Sequence, residues 1–237
     1  MNIMIHAAPP RMWYVEEFLI PALLSQGVRR DEIEIWCDTA GDGNLYSCMK
    51  AFRSLGGRDG GTWHLQDDVV ISRDFAQRTR EHDLGVVCGF GCGNFGAQGQ
   101  QAGRQPAAFM WYSFQCIRIP NTLAAECAAW FYDDAQHRSE YQSLIADRRH
   151  DDRFWRDFML EQHRDMWVTN LTPCLVEHVD FLIGGTLINR LRAAKENRAI
   201  RFEDGDLVEK LREEISASGG RDCHTSAAAL VRNDRMI

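Results

Sequence analysis

Three sets of acidic residues stand where the chain changes direction. Asp38 ends the alternating run Glu32-Ile33-Glu34-Ile35-Trp36-Cys37, Asp67-Asp68 end Thr62-Trp63-His64-Leu65-Gln66, and Asp151-Asp152 precede Phe154-Trp155-Arg156-Asp157-Phe158. Adjacent carboxylates repel unless a cation lies between them, and hard divalent cations such as Mg²⁺ or Mn²⁺ prefer oxygen ligands. A metal held by carboxylates and a diphosphate is the simplest chemical reading of Asp67-Asp68, and a solvated turn is the plain one. Asp151-Asp152 read either as a base that deprotonates a hydroxyl or as the start of a helix, where Asp is favoured for its own reasons. His178 follows an apolar run and reads alone as a core histidine bonded to backbone.

These residues need elements to position them. Ile3 to His6 is expected to be a strand running into Pro9-Pro10, after which Trp13, Val15, Phe18, Leu19, Leu23 and Leu24 recur at helical spacing until Gly27. Glu32 to Cys37 predicts a second strand, and Leu45, Cys48, Met49, Phe52 and Leu55 a helix after the loop Thr39 to Asn44. Thr62 to Gln66 is a third strand, Ser72 reads as the N-cap of a helix ending near His82, and Leu84 to Cys88 is strand four. Strands alternating with helices indicate parallel βαβ units, whose ligands bind at the carboxyl ends of the strands. Asp38 and Asp67-Asp68 would then share one edge. Residues 89–106 hold six glycines and almost no aliphatics, which reads as a long flexible loop. Phe109 to Ile119 returns to strand character, and helices are expected at Asn121 to Tyr132, Phe154 to His163 and Gly205 to Ile215, with a frayed tail over 216–237.

Trp63-His64-Leu65-Gln66-Asp67-Asp68-Val69 resembles the strand and DxD-type motif of GT-A fold glycosyltransferases, often an apolar strand, Glu-Asp-Asp and Val. Thr172-Pro173-Cys174-Leu175-Val176-Glu177-His178-Val179, followed by Gly184-Gly185, is similar to that fold's C-terminal segment, commonly Pro-x-Leu-Val-Gln-His-x-Gly-x-x-Ser. The resemblance spans roughly Asn2 to Asn189 with its motifs in order. Gln66 replaces the usual Glu, and Val179-Asp180-Phe181 replaces the usual apolar residue and glycine. It implies an α/β, Rossmann-like nucleotide-sugar-binding fold with a mixed, mostly parallel central sheet flanked by helices. It also implies a metal-dependent transfer of a sugar from a nucleoside diphosphate sugar, UDP-sugar preferred, to an acceptor hydroxyl.

Carried onto this chain, the resemblance makes Asp68 and His178 ligands of Mn²⁺ or Mg²⁺, with Asp67 on the donor ribose or sugar. His6, Ala7 and Asp38 would flank the nucleotide base and ribose, and Asn44 and Lys50 are further donor candidates. Asp152, with Asp151 second, would be the base of an inverting enzyme; a retaining enzyme needs none. Trp111 and Tyr112 belong to an aromatic segment, Met110 to Gln115, that sugar faces or nucleobases stack on, although most aromatics in a strand are core. The compact form resembles small bacterial and bacteriophage members, whose acceptors include glycans, proteins and hydroxymethylated bases in DNA.

Composition bounds these readings. At 237 residues and 45% apolar content the chain is one large domain or two small ones packed together, and the resemblance implies a single catalytic domain over residues 1–215, with a nucleotide-binding half (1–88), the Gly-rich loop (89–106) and an acceptor half (107–215). A formal charge of −7 argues against nucleic acid or anionic membrane as the main electrostatic partner, although Arg148, Arg149, Arg153 and Arg156 would form either a basic stripe or a solvated face paired with neighbouring acids. No run of ~18 apolar residues exists to span a bilayer, and Met1 to His6 lacks the pattern of a signal peptide, so the cytoplasm is the expected address. Eight scattered cysteines without a CxxC pair read as reduced structural thiols. A nucleotidyltransferase and a non-catalytic nucleotide-sugar or carbohydrate-binding protein are the alternatives; the sequence after strand one lacks the Gly-rich phosphate loop of the former. Gly89-Phe90-Gly91 after the fourth strand misses the third glycine of a GxGxxG at Asn94, and Walker A and GxSxG motifs are absent.

Overall fold

The computed structural model describes residues 1–91, 103–107, 114–133, 151–184, 199 and 201–217. It is an α/β fold built on a seven-stranded mixed sheet with helices on both faces. In chain order the strands are β1 (Asn2–Ala7), β2 (Ile33–Cys37), β3 (Gly61–Gln66), β4 (Val69–Ile71), β5 (Val86–Cys88), β6 (Gly103–Pro106), β7 (Cys116–Pro120), β8 (Trp167–Asn170) and β9 (Val176–His178). The large sheet runs β2-β1-β3-β7-β5-β8-β6, and β4 pairs with β9 in a small second sheet. Both β2 and β3 pair parallel to β1, while β7 lies antiparallel between β3 and β5. β8 is parallel to β5, and β6 antiparallel to β8. The carboxyl ends of β1, β2, β3, β5 and β8 therefore meet at one edge.

The pleat distributes the apolar residues to two cores. Ile3, Ile5 and Ala7 of β1, with Trp63 and Leu65 of β3, pack on Tyr14, Val15, Leu19 and Leu23 from one face. Met4 of β1, with Ile117 and Ile119 of β7, packs on the other, against α3 (Asn44–Ser54), α5 (Asn121–Asp133) and α6 (Asp151–Gln162). Burial on both faces explains the unbroken apolar run Ile3-Met4-Ile5 of β1. Leu45, Cys48, Met49 and Phe52 form the inward stripe of α3, as their spacing predicts.

The segment after β1 is helical throughout its course from Pro9 to Ser25, with α1 (Met12–Tyr14) and α2 (Ile20–Ser25) joined by a π turn at Val15–Leu19. Gly27 follows with φ 78°, a left-handed conformation glycine adopts at no steric cost. α4 (Phe75–Glu81) starts later than the sequence indicates: Ser72 accepts the Phe75 N–H through its carbonyl, and its hydroxyl caps nothing. α7 (Gly205–Ala217) buries Val208, Leu211 and Ile215 and runs two residues into the stretch expected to fray. Arg73 ties its start to the β4 side, reaching Asp204 at 2.7 Å and also pairing with Asp206.

Two further differences from the sequence reading concern the middle of the chain. Gly103–Pro106 is not loop but the edge strand β6, paired with Trp167–Asn170. A four-residue strand with two glycine- or proline-type ends has little periodicity to reveal it. The rest of the Gly-rich stretch beyond Gly91, as well as Trp111 and Tyr112, lies outside the described residues. The six described cysteines are free, as expected of structural thiols, and burial pushes the Cys88 thiol up to about 12. Among the described residues no helix is long and apolar enough to cross a membrane.

Gly89, where β5 leaves the sheet, is fixed by close approach on both sides. Its N–H donates to the Cys116 carbonyl at 2.9 Å, and its own carbonyl accepts the Leu175 N–H at 2.6 Å. A Cβ there would lie 2.6 Å from Cys116 Sγ and 2.9 Å from Leu175 Cδ1. Gly89→Ala is expected to cost about 1–3 kcal/mol by overpacking, measured as a lower urea midpoint with an unchanged m-value.

Candidate functional site

The turn between β3 and β4 carries Asp67 and Asp68, and both are buried. Because β1 runs parallel beside β3, the segment that leaves β1 emerges at the same edge and folds over the two acids. The Ala8 N–H donates to Asp67 Oδ2 at 2.6 Å. Arg11, itself only 4% exposed, donates through Nη1 to Asp67 Oδ1 at 3.0 Å and also to Asp68 Oδ2. Tyr14 donates its hydroxyl to the Val69 carbonyl at 2.8 Å, so the same segment grips the backbone just past the acids.

His178 arrives from the far end of the fold. In the antiparallel β4–β9 ladder Val69 stands opposite His178, and Val179 N–H donates to the Asp68 carbonyl at 2.8 Å. That register puts His178 Nε2 3.1 Å from Asp68 Oδ2. Its other ring nitrogen, Nδ1, faces Oδ1 of the buried Asp180 at 3.6 Å, too long for a hydrogen bond but the position from which a carboxylate orients an imidazole. Glu177 fixes the backbone here, its Oε1 accepting the N–H of both His178 and Ala199 at 2.9 Å.

Electrostatics follow from this packing. Burial pushes the Asp68 carboxyl up, but His178 and Arg11 together outweigh it and hold the group well below the usual carboxylate range. Burial pushes Asp67 up, and Arg11 does not fully offset it. For His178, burial acts to lower the pKa and the Asp68 carboxylate more than reverses it, so its pKa is raised. The pair is thus one firmly ionised acid and one more easily protonated neighbour.

The residues present suit a divalent cation. Two neighbouring ligands on a six-coordinate Mg²⁺ or Mn²⁺ with bonds of ~2.1 Å lie about 3 Å apart, which the Asp68 Oδ2 to His178 Nε2 separation of 3.1 Å meets. Asp68 Oδ1, His178 Nδ1 and Asp180 Oδ1 are also buried with no hydrogen-bond partner among the described residues. Among those residues no set of three or more His, Cys, Asp or Glu side chains forms a complete cage. An ion at Asp68 and His178 would take its remaining ligands from water and phosphate oxygens, as Mg²⁺ commonly does.

The other sequence-derived residues fall into two groups. His6 Nε2 lies 2.8 Å from His64 Nδ1, one ring donating and the other accepting. Burial lowers His6 to about 4, and burial with His6 as neighbour lowers His64 further, so both are neutral at pH 7. Ala7 is buried at the end of β1. Asp38 spends both carboxylate oxygens on the loop that follows it, accepting the Asp42 N–H at 2.9 Å and the Gly43 N–H at 2.8 Å. Lys50 pairs with Asp42 on the surface. Asp38 and Lys50 therefore shape the loop that leads into α3, and the structure brings neither carboxylate nor ammonium onto Asp68.

Asn44, the first residue of α3, meets the first residue of α6: its side chain hydrogen-bonds Asp151. Asp151 is buried, and burial followed by the charge of Asp152 pushes its carboxyl to about 7. Burial likewise pushes Asp152 to about 6. Both also serve the helix start, Asp151 Oδ1 accepting the Asp152 N–H at 2.9 Å and Asp152 Oδ1 the Arg153 N–H at 2.7 Å. A carboxyl group that titrates near neutrality is what proton transfer from a hydroxyl requires. Of the expected basic stripe, Arg153 lies 4.0 Å from Asp157, while Arg148 and Arg149 are outside the described residues.

Arg11, His64 and Asp180 were not singled out from the sequence as site residues. For Arg11 a signal exists: an arginine just past strand one, with no acid within four residues, needs a distant carboxylate if that strand neighbours the one ending in Asp67-Asp68. No protein-family model matches the chain, and no curated protein matches it.

The carboxyl pair at α6 has a pH signature. A carboxyl whose pKa is raised on folding binds its proton more tightly when folded, so its contribution to stability is full below the unfolded value near 3.8 and lost as pH rises to about 7. Asp151→Asn removes that loss. Its stabilising effect relative to wild type is expected to grow from pH 5 to pH 8, measured by urea unfolding at both values; an effect independent of pH would show that Asp151 is ionised throughout.

Proposed function

We propose that this protein is a metal-dependent glycosyltransferase of GT-A-like fold, moving a sugar from a nucleoside diphosphate sugar, with UDP-sugar preferred, to an acceptor hydroxyl. The observation that carries the reading is the meeting of Asp68 and His178 at 3.1 Å through the β4–β9 ladder, two residues that the sequence resemblance pairs but that lie on opposite sides of the chain's middle. The α/β sheet with its acids at a carboxyl edge is where such folds bind ligands.

In this reading Asp68 and His178 would hold Mn²⁺ or Mg²⁺, which when bound offsets the diphosphate charge and makes it a better leaving group. Asp67, held by Arg11 and the Ala8 N–H, stands beside the donor. The neutral His6–His64 pair lines the end of β1 without adding charge near a base or ribose. Asp152 and Asp151, poised at about 6 and 7, take the acceptor proton if the reaction inverts the anomeric centre. The acceptor belongs to the classes named by the resemblance: a glycan, a protein or a hydroxymethylated base in DNA.

Thermal unfolding with UDP, other nucleoside diphosphates and their sugars, with and without Mn²⁺, tests the donor site. At ~100-fold excess over Kd a true ligand is expected to raise Tm by about 5–10 °C. The gain should require Mn²⁺ and vanish in Asp68→Ala and His178→Ala. A wild type that no nucleotide stabilises, or variants that respond like it, would overturn the reading. If transfer is then observed, Asp152→Asn is expected to lower kcat by about 10²–10⁴ while leaving the nucleotide-induced shift intact. Binding without any sugar transfer would instead favour a carbohydrate-binding protein.

A further inference from the structure

Asp68 Oδ2 is already occupied by two donors. It accepts from His178 Nε2 at 3.1 Å and from Arg11 Nη1, and a carboxylate oxygen has two acceptor lone pairs. A divalent cation on the Asp68–His178 edge must therefore take the place of one donor. The imidazole is itself a ligand once it has lost its Nε2 proton, whereas a guanidinium cannot shed its charge and remains a cation facing a cation. The cation would thus replace the Nε2 proton, and Arg11, left on the same Asp68 oxygen beside a dication, is the donor that like-charge repulsion drives away.

The surroundings of Arg11 allow that movement at small cost. Its Nη1 is shared between Asp68 Oδ2 and Asp67 Oδ1, the latter at 3.0 Å, so the guanidinium can release one carboxylate and keep the other. Asp67 is itself anchored from behind by the Ala8 N–H at 2.6 Å. Arg11 also ends the short turn Pro9–Arg11, so only one turn of backbone separates it from that anchor.

We propose that Arg11 is the built-in counter-ion of Asp68 and that it competes with the divalent cation for this carboxylate, shifting onto Asp67 when the cation binds. The inference rests on the metal site proposed above and adds a regulatory element to it: the acid pair is never left without a positive charge, and cation affinity is set by how tightly Arg11 is held.

Mn²⁺ binding to the purified protein, followed at pH 8 by the electron paramagnetic resonance signal of the free ion, tests it without any donor sugar. Arg11→Gln, which keeps length and hydrogen bonding but removes the charge, is expected to bind Mn²⁺ at least ~10-fold more tightly than wild type. Arg11→Lys is expected to stay within ~3-fold of wild type, because the competing charge remains. Equal or weaker binding by Arg11→Gln, with wild type binding normally, overturns the competition and leaves the metal site standing. Failure of wild type and both variants to bind Mn²⁺ overturns both. Should Arg11→Gln not fold, the Nε–Hε resonance of Arg11 in ¹⁵N-labelled wild type, assigned by its loss in Arg11→Lys, decides the matter. It is expected to shift as Mg²⁺ is titrated, and a resonance unmoved at saturating Mg²⁺ overturns the proposal.

Discussion

Two adjacent carboxylates are buried at the end of β3, and the guanidinium of Arg11 is what allows both to be there. An uncompensated buried charge costs about 3–5 kcal/mol, a large share of the roughly 5–15 kcal/mol that holds a domain folded. Arg11 can reach the acids only if the segment leaving β1 crosses the tip of β3, which requires β1 and β3 to be parallel neighbours. Tyr14 and the π turn after it continue the same constraint, because the Tyr14 hydroxyl must reach the Val69 carbonyl while Val15 and Leu19 enter the core. The charge cluster and the packing of one sheet face are thus one problem solved together.

The second acid pair obeys the opposite rule. Asp151 is set by burial and the charge of Asp152, and Asp152 by burial that the charges of Arg153 and Arg156 do not offset. Helix N–H groups and the Asn44 side chain soften the cost of burial without cancelling it. In the first pair Asp68 is kept ionised by cations, and in the second both carboxyls are kept near their titration points by burial. The second pair sits at the start of α6, where Asp151 meets Asn44, the first residue of α3 after the loop that Asp38 organises. In the function proposed above, the first centre would hold the cation and the second would take the proton of a neutral hydroxyl.

His178 shows how little of this depends on local structure. Three residues of β9 hold it, and they pair in register with the three residues of β4. The ladder continues one step further, where Ser72 N–H donates to the Leu175 carbonyl at 2.8 Å, and Arg78 Nη2 reaches the Pro173 carbonyl at 2.6 Å. Gly89 completes the support by approaching Leu175 too closely for any side chain. These contacts come from three separate stretches of chain, so the imidazole is positioned by long-range packing.

The alternation in β1 to β3, the apolar stripe of α3 and the acids at strand ends are legible in the amino-acid order, because period and turn chemistry act over a few residues. The pairing of Asp68 with His178 was suggested by resemblance and not by spacing. Arg11, His64 and Asp180 stayed hidden because their meaning lies in which strand ends adjoin, and β6 stayed hidden because an edge strand so short has no pattern of its own. What the sequence determined alone is an α/β chain with carboxylates delivered to the ends of its strands. Only the tertiary structure decided which of those carboxylates are charged, since that depends on which cation each meets when water is removed.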